Sequence, residues 1–190
     1  MTEKKVLIKE ETIEEPITTL KDIYDKYNKE VMTSDAYRYI DAYSVKKTKV
    51  SLAVACFISS LIFPMLGSMF YIDLLENLSI ILMFVMIAVG VLLIKNANSV
   101  FKESIDDIPS LTNATYDYLS DELYQIKKEA SKLRTIGICL CCFSFVPIMI
   151  LEPLDFDELG VALFFLMIAV GVFLIMFSNH KTSAYNKLLK

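Results

Sequence analysis

Apolar and polar positions along the chain alternate between four long uncharged blocks and the charged segments that separate them. The blocks cover residues 50–72, 77–94, 135–151 and 159–179. A helix crossing the hydrocarbon core of a bilayer needs about 20 consecutive apolar residues, within a range of about 17–25. The pattern therefore predicts four transmembrane helices. The second and third blocks lie near the lower limit, where flanking residues reach toward the interface. A soluble fold would have to cover four uncharged helices of roughly 25–34 Å each. A chain of 190 residues has little amphipathic helix with which to do so.

The second and fourth blocks contain nearly the same string. FVMIAVGVLLI starts at Phe84 and FLMIAVGVFLI at Phe165; nine of eleven letters agree at an offset of 81. The first and third blocks echo each other more weakly. CFIS at Cys56 matches CCFS at Cys141 at offset 85, whereas Pro64 and Pro147 match at offset 83, so residue pairing there stays open. An amphipathic stripe precedes each pair of blocks. Ile17, Leu20, Tyr24, Tyr27 and Val31 recur at helical steps before the first, and Thr19 with Asp22 forms a candidate capping pair. Thr33, Ser34 and Asp35 then interrupt the stripe and predict the cap of a second helix. Tyr116, Leu119, Leu123, Ile126, Ala130 and Leu133 form the other stripe and run straight into the third block.

These patterns predict an all-α integral membrane fold of four transmembrane helices, built as two parallel repeats. Each repeat is a cytoplasmic amphipathic helix followed by a transmembrane hairpin. Residues 1–15 are an acidic tail expected to be disordered, residues 16–98 the first repeat and residues 99–190 the second. A unit with two spans enters the membrane in the same direction each time, which implies a pseudo-twofold axis along the membrane normal. The inverted repeats of many alternating-access carriers do not fit that count.

Composition agrees with the pattern: 55% of residues are apolar, against about 45–50% in an average soluble domain, and the mean hydropathy is +0.48. Charge adds orientation. Of 19 Lys and Arg, ten precede the first block, six lie between the second and third, and three follow the fourth. The two hairpin loops hold only acids: Asp73 and Glu76 in one, Glu152, Asp155, Asp157 and Glu158 in the other. The positive-inside rule then predicts cytoplasmic termini and a cytoplasmic central loop. Basic residues beside the blocks, Lys46, Lys47 and Lys49 among them, would meet anionic headgroups. With a net charge of −4 and bases interleaved with acids, there is no nucleic-acid footprint.

Candidate chemistry is sparse. No block contains an Asp, Glu, Lys, Arg or His side chain, the usual pointer to a proton relay or ion-coupled carrier. Cys139, Cys141 and Cys142 form C-x-C-C and Cys56 sits in the matching block, but a metal centre wants more ligands at one depth. These cysteines read as small packing residues. No glycine-rich phosphate loop or nucleophile–base set is visible, so neither enzyme activity nor a cofactor is expected. Small residues point to helix packing: Ser51, Ala55 and Ser59 make a small-xxx-small stripe, and Ala88 and Gly90 match Ala169 and Gly171. Tyr116, Leu119, Leu123 and Ile126 form a candidate face for a membrane or cytoplasmic protein partner, or for the chain's own helices.

LCCFSFVPIMIL (residues 140–151), ELGVALFFLMIAVGVFLI (158–175) and AYNKLL (184–189) resemble a tandem membrane region of many Firmicute proteins. There it often follows a helix-turn-helix or zinc-ribbon domain. The resemblance covers about residues 37–189. It implies a four-span tandem architecture in a bacterial cell membrane and transfers no functional residue. Two departures stand out: Ser60 and Phe145 replace a proline frequent in that family, and residues 1–36 are too short and acidic for a DNA-binding domain. The function expected is a non-enzymatic regulatory, sensory or accessory module, open to self-association. The alternative is a small transporter, a pore or an immunity-type protein against a membrane-active peptide.

Overall fold

The computed structural model describes residues 20–69, 73–105, 108–111 and 113–190, with side chains from residue 34 onward apart from Ala114. The acidic tail and Thr19 of the capping pair lie outside the described residues, as do the side chains of the first stripe. The described residues are helical throughout their ordered elements: α1 (Leu20–Ser60), α2 (Ile62–Ser68), α3 (Asp73–Ser104), α4 (Asn113–Phe143), α5 (Val146–Leu151), a 3-10 turn (Glu152–Leu154), α6 (Asp157–Ser178) and α7 (His180–Leu188). Four stretches are long and apolar enough to cross a membrane: Ser34–Ser68, Asp73–Ser104, Thr115–Leu154 and Asp157–Leu188.

The predicted interruption at Thr33, Ser34 and Asp35 does not occur. α1 runs through it as one helix of 41 residues. Such residues in a helix interior cost only up to about 0.7 kcal/mol each relative to Ala. Burial of Ala36, Tyr39 and Ile40 just beyond them outweighs that cost. The same fusion holds for α4, which carries the second stripe directly into the third apolar block.

Two breaks do occur, and the prolines set them. A proline ring clashes with the carbonyl four residues earlier and donates no hydrogen bond to it. Four residues before Pro64 is Ser60, where α1 ends; four before Pro147 is Phe143, where α4 ends. Ser60 and Ser144 are both buried at these breaks. The Ser60 hydroxyl donates to the Phe57 carbonyl and the Ser144 hydroxyl to that of Cys141, each at 2.7 Å. In the short turn before α6, Asp155 adopts a left-handed φ of 60°, a conformation that aspartate tolerates better than bulkier residues.

α1 packs against α3, α6 packs against α4, and α1 and α6 pack against each other. The spanning helices therefore stand in the order α3–α1–α6–α4. This differs from the expected pseudo-twofold arrangement. Such an axis would exchange α1 with α4 and α3 with α6, so a contact of α1 with α6 would require one of α3 with α4. Among the described residues, no comparable interface joins α3 to α4, and the row is open at both ends. The share of apolar span buried inside the fold follows that order: 22% for the spans of α1 and α6, against 11% for those of α3 and α4. On the polar side, α7 continues α6 past a one-residue turn at Asn179 and packs against α1 and α4.

Candidate functional site

Two sets of residues set the chemistry of the molecule: small residues between the spans, and an aromatic–basic layer at the polar end of the row.

Gly90 and Gly171 each face the helix beside them. A Cβ on Gly171 would lie 2.8 Å from the Gly137 carbonyl oxygen and 2.6 Å from Cys141 Sγ, so α4 and α6 meet almost backbone to backbone. A Cβ on Gly90 would lie 2.6 Å from the Phe57 ring, at the contact of α1 with α3. Ala169 is also buried, but residues two apart on a helix point about 200° apart. Ala169 therefore looks away from α4, toward the side where α1 packs. Ala88 is likewise turned away from Gly90, and there it is exposed. The expectation that Ala88 packs beside Gly90 is corrected on this point: α3 has a neighbour on only one side, whereas α6 has one on each. Along the small-residue stripe of α1, Ser51 is buried and its hydroxyl donates to the Lys47 carbonyl at 2.9 Å; Ala55 and Ser59 are half-buried.

The sequence pattern did not single out Gly137, nor Gly67 and Gly160 near the other end of the hairpins. A Cβ on Gly67 would sit 2.7 Å from Ser79 Cβ, and one on Gly160 3.2 Å from Ile148 Cα. The available signal was the lone glycine in an otherwise bulky span, which marks a close helix crossing.

At the polar end, Ala36, Tyr39, Ile40, Leu119, Leu123, Ala184, Tyr185 and Leu188 form one buried cluster from α1, α4 and α7. Leu119 and Leu123 are therefore interior, and Ile126 packs on the same cluster. Only Tyr116 of the four proposed partner-face residues is exposed. The physical reason is that Leu119 and Leu123 of α4 meet Ala36, Tyr39 and Ile40 of α1 and Ala184, Tyr185 and Leu188 of α7, which leaves the tyrosines of α4 outside. Tyr124 is 71% exposed.

The Tyr37 hydroxyl donates to Glu122 Oε2 at 2.8 Å and ties α1 to α4. Burial, reinforced by that carboxylate, pushes the Tyr37 phenol well above its ordinary range, so it remains a neutral donor. Tyr39 stacks on Tyr43 at 6.0 Å between ring centroids, and Phe101 meets both rings edge-on. Among the described residues, the buried Tyr39 hydroxyl has no hydrogen-bond partner. Three ammonium groups lie over these rings: Lys46 at 4.6 Å from Phe101, with Lys47 at 5.8 Å and Lys187 at 5.3 Å from Tyr43. Lys46 lies outside the uncharged blocks. Burial, then the like charges of Lys187, Lys47 and Lys102, lower its pKa. The result is a concentrated positive border next to apolar helix, suited to anionic headgroups. A cleft of about 240 Å³ beside it is lined in part by Arg38, Asp41, Lys46, Lys49 and Phe101.

Among the described residues, no three His, Cys, Asp or Glu side chains converge as a metal site. All four cysteines are free thiols; Cys139 and Cys142 are exposed, and Cys56 and Cys141 are half-buried. His180 stacks on Phe177, and its Nδ1 contacts the Phe177 carbonyl where α6 turns into α7. No family model, curated protein or solved structure matches the chain.

Proposed function

We propose that this chain is a non-enzymatic four-span module of a bacterial inner membrane, acting by protein contact as a regulatory, sensory or accessory unit. Both termini and the aromatic–basic layer would face the cytoplasm. The observation that carries the reading is the division of the molecule into two parts. An apolar row of helices is suited to the bilayer, and a polar layer at one end is packed by Tyr37, Leu119 and Tyr185. Lys46, Lys47, Lys102 and Lys187 gather at that end, while the hairpin turns carry acids, which supports the assigned orientation.

Two parallel repeats account for the recurring contacts. Gly90 faces Phe57 and Gly171 faces Cys141, and Ser60 and Ser144 make the same bond at the same break. Both correspondences use an offset of 84, between the conflicting 83 and 85 of the sequence match. On the inward spans the offset of 81 pairs buried Ser79, Gly90 and Ala97 with buried Gly160, Gly171 and Ser178.

Because Leu119 and Leu123 are internal, the partner contact moves to the exposed tyrosines of α4. A photoreactive residue at Tyr116 or Tyr124 is expected to capture one defined protein in cells, and one at Leu119 to capture none. Equal labelling at all three positions would contradict the reading. Purified protein in proteoliposomes is expected to carry no solute; measured flux would transfer support to the transporter or pore alternative.

A further inference from the structure

We infer that a second copy of this chain covers the two open ends of the row, with α4 of one chain seated on α3 of the next in the way α1 is seated on α6 within the chain. This inference rests on the two-repeat reading and extends it.

The contact of α1 with α6 joins the first span of one repeat to the second span of the other. That contact is head-to-tail, and it leaves unused the equivalent surfaces on α4 and α3. On α6, Ala162 and Ala169 are buried at 4% and 2% exposure, on the side away from α4. Their equivalents on α3, at offset 81, are Ile81 and Ala88, and both are exposed. On α1, the stripe Ser51, Ala55 and Ser59 lies on the side away from the Phe57 contact with α3. Its equivalents on α4, at offset 84, are Thr135, Cys139 and Phe143, and all three are exposed. The likeness extends to Thr135, whose hydroxyl donates to the Ser131 carbonyl at 2.9 Å as Ser51 does to Lys47. One half of each matching surface is thus buried or half-buried inside the chain and the other half is exposed.

Head-to-tail contacts form a ring where the rotation between units closes and an open filament where it does not. Two chains close the row when each supplies its α4 to the other's α3. Small residues remain where close approach matters most, with Ala88 and Cys139 on opposing faces. Ile81 and Phe143 add bulkier apolar contact toward the acidic turns. Val89 is the natural control: it is exposed, and so is its equivalent Val170, so that face is free in both repeats.

The test is disulfide trapping in native membranes with the full chain. Gly90 is level with Phe57 and Gly171 with Cys141, which puts Ala88 level with Phe143, and Leu92 level with Cys139, on the facing helices. With the other native cysteines changed to Ala, Leu92→Cys paired with Cys139, and Ala88→Cys paired with Phe143→Cys, should each give a linked species of twice the chain mass on oxidation. Val89→Cys in either background should give less than a tenth of that yield. A pair within one chain, Ser59→Cys with Ala169→Cys, checks the reading beneath the inference and should link without a change in mass. If that pair links and both pairs between chains stay monomeric, or Val89→Cys links equally well, lipid alone covers these faces and the inference is wrong. If the pair within the chain fails, the repeat arrangement itself is wrong. Native mass spectrometry supplies a second readout: Ala88→Phe should give monomer where Val89→Phe retains dimer, and dimer from both would overturn the inference.

Discussion

A methyl group added at Gly171 has nowhere to go, because the Gly137 carbonyl of the facing helix is fixed backbone. The same methyl at Gly90 meets the Phe57 ring, which can rotate aside. Gly171→Ala is therefore expected to destabilise by about 1–3 kcal/mol and Gly90→Ala by clearly less, as read by thermal unfolding in detergent. Equal losses would refute the backbone contact. A second pair of changes separates two tyrosines. Tyr37→Phe removes a bond to Glu122 and should cost about 1 kcal/mol. Tyr39→Phe removes a buried hydroxyl that has no partner among the described residues and should be neutral or stabilising. The letters identified Gly90 and Gly171 as packing residues but could not show that Ala88 looks the other way. The string MIAVGV is the same in both spans; what differs is the number of helices around each.

At the level of elements, the four uncharged blocks were legible because an unbroken apolar run marks a helix long enough to cross a membrane without reference to its neighbours. The prolines also marked real breaks, four residues downstream of each helix end. Missed was the continuity of α1 across Thr33, Ser34 and Asp35, where burial of Tyr39 and Ile40 overrides a local capping preference. Which stripe meets which was also hidden, since an apolar stripe reads identically whether it awaits a partner or covers its own chain. The internal role of α4 predicts that Leu119→Ala costs about 2–5 kcal/mol, whereas Tyr116→Ala leaves stability nearly unchanged. Chemical or thermal denaturation of the two variants side by side checks this; similar losses would mean that Tyr116 is packed as well.

For the whole molecule, charge and hydropathy indicated four spans and a direction, but not the order of helices around one another. That order depends on which faces carry Gly137 against Gly171 and Phe57 against Gly90, contacts between residues far apart in the chain. Orientation is checked by labelling from outside intact cells. Glu152→Cys in the turn before α6 should react with an impermeant thiol reagent, and Asp121→Cys on α4 only after lysis; the reverse pattern would invert the topology. Electron–electron spin distances across the membrane helices read whether the row α3–α1–α6–α4 is open. Spin labels at Val89→Cys on α3 and Cys142 on α4, in a chain with its other cysteines removed and diluted with unlabelled protein, should be separated by three helix spacings, about 25–30 Å at 8–10 Å per packed pair. A single short separation of about 10 Å would place α3 beside α4, close the bundle, and contradict the account.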